Sequence, residues 1–314
     1  MKKIVMGLII FLFLFCVNLS MHAQGIELEV LSSEVVSLYK RGQYDQAIIV
    51  AKKVIQLAES TEGSDHPYVA ESLNNLANLY RTQGQYALAE PLYKRSLTVM
   101  ENAFGLKHLN VVMSLKNLAE LYSVEGQYEL AEPFYQRVLT IMEESHGSDH
   151  SDVATSLNSL AQLYSTQGQY GLAEPLYKRS LAINERVLGS DHLDVALSLD
   201  NLAGLYVDQG RYALVEPLYK RSLAIIEKAL GPNHLDVAAS LNNLALLYHH
   251  QGQYSLAELL YKRSLTIMEK ALGLNHPDVA TSLENMSELY RQNGKEEEGK
   301  ALEKRAGIIR AIKR

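Results

Sequence analysis

One cysteine, Cys16, serves all 314 residues, and there is no tryptophan. Cys16 lies in the first apolar run, so the remainder of the chain has no thiol, no disulfide and no cysteine metal ligand; packing alone must hold it together. Enzyme signatures are missing too: there is no G-x-S-x-G, no Walker loop, no G-x-G-x-x-G and no H-E-x-x-H. Carboxylates recur at repeat positions and never form one asymmetric constellation. No catalytic residue, cofactor or small-molecule substrate is therefore expected. Basic charge is scarce, with 30 Lys and Arg against 36 Asp and Glu and a formal charge of −6. Such a chain repels phosphate backbones, which argues against a nucleic-acid partner.

A long membrane-spanning run is also missing. Lys2 and Lys3 precede an apolar stretch, Ile4 to Val17, broken only by Gly7. It falls short of the ~20 residues that a spanning helix needs. The polar stretch after it ends in Ala23 and Gln24, which suits removal of residues 1–23 as a secretory leader, with Met21 a larger residue than cleavage prefers. Phe15 before Cys16 is too bulky for a lipid-attachment motif. An exported protein, periplasmic or extracellular, is the expectation; only an uncleaved leader would tie it to a membrane.

What the chain has in abundance is itself. LNNLANLY at 73–80 returns as LKNLAELY at 115, LNSLAQLY at 157, LDNLAGLY at 199, LNNLALLY at 241 and LENMSELY at 283, always at an interval of 42 residues. The expected units are 63–104, 105–146, 147–188, 189–230, 231–272 and 273–314, the last a polar cap. A diverged first unit spans 24–62. Within each, two amphipathic helices are expected. Val69, Leu73, Leu76, Ala77 and Tyr80 form one apolar face at 3- and 4-residue steps, and Leu88, Ala89, Leu92, Tyr93, Leu97 and Met100 form another. Gly84 ends the first helix, and Gly105 sits where a left-handed cap is wanted. Neither helix pair can bury its stripe alone, so the units must stack into a solenoid. Sixteen of the 19 tyrosines fall at three repeat positions, those of Tyr80, Tyr86 and Tyr93, beside the small Ala77 and Ala89.

Leu, a small residue, Tyr, Gly-x-Tyr, Ala and Tyr at these steps resemble the tetratricopeptide signature. The 42-residue length, the G-x-x-H turn and the phrase AEPLYKRSL at 89–97 and 173–181 look like the kinesin light chain subtype. The resemblance implies an all-α, right-handed superhelical solenoid of seven helix-turn-helix repeats, with a peptide-binding groove along the first helix of each. No long heptad segment precedes the repeats, so a motor-adaptor role is not carried over.

Three recurring features compete as sites. His66, His108, His150, His192, His234 and His276 suggest a metal ladder, but repeats stack at about the 8–10 Å of helix packing, whereas ligands of one ion lie ~2 Å from it. Helix capping is the better reading, and no metal site is expected. His249 and His250 are adjacent on one helix and should not face the same side. The Lys-Arg pairs at 94–95, 178–179, 220–221 and 262–263 follow Glu90, Glu174, Glu216 and Glu258 by four residues, so a self-paired solvated face is expected rather than a basic stripe.

The helix face opposite the core is the candidate site. Asn75, Asn117, Asn201, Asn243 and Asn285 share one repeat position, with Ser159 in the fourth unit. Just before them stand Asn74, Lys116, Asn158, Asp200, Asn242 and Glu284; one turn later come Asn78, Glu120, Gln162, Gly204, Leu246 and Glu288, with Arg81 nearby. An amide both donates to and accepts from a peptide backbone. The Asn74 and Asn78 series are expected to face a ligand; the Asn75 series is balanced between ligand and neighbouring helix. The face carries more anions (Glu71, Glu120, Asp200, Asp208, Glu284, Glu288) than cations (Arg81, Lys116, Arg291). The expected partner is thus an extended, neutral or basic segment of another protein; the alternative is a self-associating architectural array.

Overall fold

The computed structural model describes residues 25–312. The expected leader, its cleavage site and Cys16 lie outside the described residues. Among the described residues all regular structure is helical. Helix α1 covers residues 25–40. It is followed by α2 (Tyr44–Glu62), α3 (Pro67–Thr82), α4 (Tyr86–Phe104), α5 (Val112–Val124, after a 3-10 turn at Leu109–Val111) and α6 (Tyr128–His146). Then come α7 (Ser151–Thr166), α8 (Tyr170–Leu188), α9 (Leu193–Asp208), α10 (Tyr212–Leu230), α11 (Leu235–His250), α12 (Tyr254–Leu272), α13 (Pro277–Gln292) and α14 (Glu296–Ile312). The fourteen helices make seven consecutive pairs, one per repeat. They fall into two compact units, one ending at Ser145 and one beginning at His146.

Odd helices pack on their own even partner and on the even helix before it: α3 on α4 and α2 in the first unit, and α9 on α10 and α8, α11 on α12 and α10, and α13 on α14 and α12 in the second. Size complementarity makes this possible. Ala77 and Ala89 are fully buried where the helices come close, and the fully buried Tyr93 fills the space beside them. In the second unit Val195, Leu199, Ile225, Val237, Leu241 and Ile267 form one continuous core across two repeats. Each such side chain contributes about 1.5–3 kcal/mol by leaving water.

The helix ends follow from named residues. In α3 the chain turns at Gly84 (φ 73°), and the Gln85 amide reaches back to the Tyr80 carbonyl at 2.8 Å. This is the left-handed glycine cap. Gly105 differs from expectation: at φ 90° and ψ 162° it is extended with positive φ, a region essentially reserved for glycine. The cap expected at Gly105 is therefore found at Gly84. At the start of the odd helices the histidines are caps, as expected. Nδ1 of His66, His108, His150, His192, His234 and His276 accepts the amide hydrogen of the second residue on, at 3.2–3.3 Å. The last helix, though polar, is docked: Ala306 and Ile309 are buried, Glu303 pairs with Arg291, and Arg310 with Glu284.

Candidate functional site

The odd helices present three neighbouring series of side chains, and the structure sorts them differently from the sequence. Asn74 is buried, with 6% of its surface exposed. It lies one residue past the core stripe and turns toward the next odd helix, where Nδ2 donates to the Ser114 hydroxyl at 3.2 Å. Ser114 meets Ser96 at 3.1 Å, closing a polar link between repeats. The expectation that the Asn74 series faces a ligand is thus corrected for Asn74. Asn158, Asp200 and Asn242 are half-buried at the same position, each with Oδ1 buried and unpartnered. Lys116 is also half-buried.

Asp200 stands out in that series. Burial pushes its carboxyl up to about 6, with the Ser222 hydroxyl working in the opposite direction. It lines a cleft of about 280 Å³ in the second unit with Leu193, Leu197, Ile226, Asp236 and Asn243.

The Asn78 series is tied down as well. Tyr93 donates its phenolic hydrogen to Asn78 Oδ1 at 2.6 Å, and Tyr177 does the same to Gln162 Oε1 at 3.0 Å. Arg81 adds a bond to Asn78 at 3.3 Å and an ion pair with Glu120 at 3.0 Å. These amides hold tyrosines in place, so the ligand-facing role expected of Asn78, Gln162 and Arg81 is shared with a structural one.

The open groups belong to the Asn75 series. Asn75 and Asn243 are exposed; Ser159, Asn201 and Asn285 are half-exposed. Asn117 is the exception at 6% exposure. It lines two clefts of the first unit. One, of about 390 Å³, has Val35, Val36 and Tyr39 on one wall and Arg81 and Thr82 on the other. The second, of about 580 Å³, adds Glu71, Phe104, Leu109 and Met113. Asn75, Asn78 and Asn117 line both. Asn117 Nδ2 is buried and has no partner among the described residues.

The basic pairs behave as the sequence implies. Lys94, Lys178, Lys220 and Lys262 contact the glutamate four residues back at 2.6–2.7 Å. In three of the pairs the Arg reaches the preceding repeat: Arg95 meets Glu59 and Arg221 meets Glu185, both at 2.5 Å, and Arg263 meets Glu227 at 2.6 Å. Reasoning from sequence missed a further use of these glutamates: Tyr122, Tyr206, Tyr248 and Tyr290 donate to Glu90, Glu174, Glu216 and Glu258 at 2.8–3.0 Å. The exact spacing of 32 residues between Glu and Tyr was its signal. His249 is buried and bonds Gln292 at 3.0 Å, and its ring lies nearly parallel to that of His250, at 5.9 Å and 10°. His250, by contrast, is exposed, so one imidazole is buried and the other meets solvent, as their adjacent helix positions imply.

The chain matches the tetratricopeptide repeat family over residues 30–102, 77–125, 108–186, 166–228 and 194–270. No protein of curated function matches it. Solved structures do. The nearly identical TPR-like repeats of a kinesin light chain-type protein from Podosopora anserina share 25% identity, cover 65% of this chain and 97% of their own, and superpose with a TM-score of 0.58. BtubC (BKLC) from P. vanneervenii shares 24% identity over 77% of this chain and 92% of its own, at a TM-score of 0.60. A tetratricopeptide repeat protein from Parabacteroides merdae shares 19% over 90% and 93%, at 0.59. Repeats of this family typically serve as protein-interaction scaffolds. Motif, helix pairing and structural likeness agree: the chain belongs to the tetratricopeptide repeat family, with repeats like those of kinesin light chains.

Proposed function

We propose that the chain is a non-catalytic scaffold that holds an extended segment of another protein against α1, α3 and α5. The observation that carries this reading is Asn117, which lines two clefts and whose buried amide hydrogens have no acceptor among the described residues. An unmet buried donor costs about 1–3 kcal/mol. A backbone carbonyl of an extended ligand would meet it, while Asn75 beside it can both donate and accept. Tyr39 and Val36 at one end and Phe104 and Met113 at the other offer apolar contact to the ligand's side chains.

The charge of the face supports a neutral or basic segment. Glu71 is exposed in the first-unit cleft, the Arg81 cation is already met by Glu120, and the second-unit cleft carries Asp200 and Asp236. With residues 1–23 read as a leader, this partner is met in the periplasm or outside the cell.

The test uses Asn117→Leu, which keeps the branching at Cγ and removes the orphan donor without removing a bond. It should fold at least as well as the parent. Immobilised on a resin and exposed to envelope or secreted proteins, it should retain at least tenfold less of the partner that the parent captures. Equal capture by a folded variant would refute the reading.

A second reading, an architectural array, has its own observation. Leu88 and Leu130 in the first unit, and Leu172, Leu214 and Leu256 in the second, recur at one position of the even helices and are all 40–52% exposed. Concentration-dependent self-association in sedimentation equilibrium, abolished by Leu→Gln changes in this row, would favour it. A monomer at all concentrations would remove it.

A further inference from the structure

We propose that His146, His150 and Asp152 form a binding site for a borderline divalent cation, with Zn²⁺ the ion that suits them best. The repeat is broken here at a single place. The residue that closes an even helix is Phe104 in α4 and Leu188, Leu230 and Leu272 in α8, α10 and α12; in α6 it is His146. That places a second imidazole beside one of the capping histidines.

One donor atom from each of the three residues lies within 4.8 Å of the others. His146 Nδ1 is 3.2 Å from Asp152 Oδ2, and His150 Nδ1 is 3.3 Å from the same oxygen. In a tetrahedral zinc site with bonds of about 2.0–2.1 Å, neighbouring ligand atoms stand about 3.3–3.4 Å apart. Two of the three edges are therefore already set. The third, between the two imidazole nitrogens, is within 4.8 Å, and the rings stand 4.4 Å apart between centroids. Imidazole and carboxylate donors select Zn²⁺, Ni²⁺ or Cu²⁺ over Mg²⁺ and Ca²⁺.

Three other repeats supply internal comparisons. His192 with Asp194, His234 with Asp236 and His276 with Asp278 repeat the pair at 3.5–3.6 Å, but leucine replaces the third donor in each. In the His146 cluster the side chains are 28–49% exposed, so water or a donor from another molecule has room to fill the fourth position. Coordination through His150 Nδ1 displaces the capping bond from the Asp152 amide, a loss of about 1 kcal/mol. Bonds to the ion outweigh that.

The test is calorimetric titration of the untagged protein with zinc sulfate. One ion per chain should bind more tightly than about 100 μM, near −5.5 kcal/mol. His146→Leu, which installs the residue of three sister repeats, and Asp152→Asn should each weaken binding at least tenfold without loss of helicity. His192→Asn, which keeps a cap, should leave binding unchanged, and magnesium should give no saturable heat. Proton NMR should show the His146 and His150 ring signals shifting with one equivalent of zinc. Absence of saturable binding, or binding that His146→Leu leaves intact, would overturn the proposal; in the second case the ion would be at His249 and His250 or elsewhere.

Discussion

Asn74 donates to the Ser114 hydroxyl at 3.2 Å, from one odd helix to the next and forty residues along the chain. Serine stands at the acceptor's position in six repeats: 72, 114, 156, 198, 240 and 282. Such a buried bond between repeats carries part of the stacking energy. Asn74→Ala should therefore cost about 1–2 kcal/mol, the lost bond plus a small void, and lower the melting temperature visibly by circular dichroism. An unchanged melting temperature would show that the amide is a free surface group.

The phenols of Tyr93 and Tyr261 give a paired prediction. Both side chains are fully buried, but Tyr93 donates to Asn78 at 2.6 Å, whereas Leu246 stands in the amide's place beside Tyr261, whose hydroxyl has no partner. Tyr93→Phe should destabilise by about 1–2 kcal/mol, because it removes the short bond to Asn78 Oδ1 and leaves that oxygen only the longer one from Arg81. Tyr261→Phe should be neutral or stabilising. Urea midpoints at equal slope decide it, and the same loss in both variants would contradict the assigned bond.

These two cases show what the sequence could and could not reveal. The repeat length, the helix pairing, the alanine–tyrosine complementarity and the histidine caps were all legible, because each is a local pattern copied six or seven times. The placement of the asparagines was not. Asn74 and Asn75 are adjacent, so a 100° rotation about the helix axis decides which one meets Ser114 and which meets solvent; sequence periodicity does not resolve a position at the edge of the apolar stripe. The Asn78–Tyr93 bond joins two helices of one repeat and leaves no mark in either helix alone. The His146 cluster leaves no mark in the repeat pattern, because the counterparts of His146 in the sister helices are Phe104, Leu188, Leu230 and Leu272.

Stability should depend on pH in two opposite ways. Glu174 and Glu258 are held down at about 2, first by hydrogen bonds from Lys178 and Lys262, with Arg211 and Lys295 adding to them. Their lowered values mean a contribution fully present above about pH 4.5 and lost as pH falls toward 2. Asp200 is the reverse, raised to about 6 by burial. The folded protein keeps its proton while the unfolded chain gives it up, so stability falls as pH rises from about 4 to 6 and levels off above. The loss is no more than about 3 kcal/mol, at about 1.4 kcal/mol per unit. Asp200→Asn should flatten the melting profile between pH 4 and 7 and leave the acid limb intact. A profile unaltered by the substitution would mean that Asp200 titrates normally.

The caps and glycines offer a test of local geometry. His234→Ala should cost about 0.5–2 kcal/mol, and His234→Asn should restore most of it, since both accept the Asp236 amide. Gly84→Asn should be tolerated, because asparagine enters the left-handed region. Gly105→Asn should cost more, because ψ 162° with positive φ suits glycine alone. Thermal melts of the two glycine variants check the contrast, and equal losses would contradict it.

The central claim is that the ligand lies over Asn75 and Asn117 and not over the exposed leucine row. Site-specific photo-cross-linking tests it most directly. The photo-reactive residue p-benzoylphenylalanine would be placed in the parent chain at position 75 and, separately, at position 88, where Leu88 is 50% exposed. After illumination in the native envelope or secreted fraction, position 75 should give a discrete adduct with another protein and position 88 none. Adducts from position 88 alone, or with a second copy of the chain, would contradict it and place binding on the leucine row.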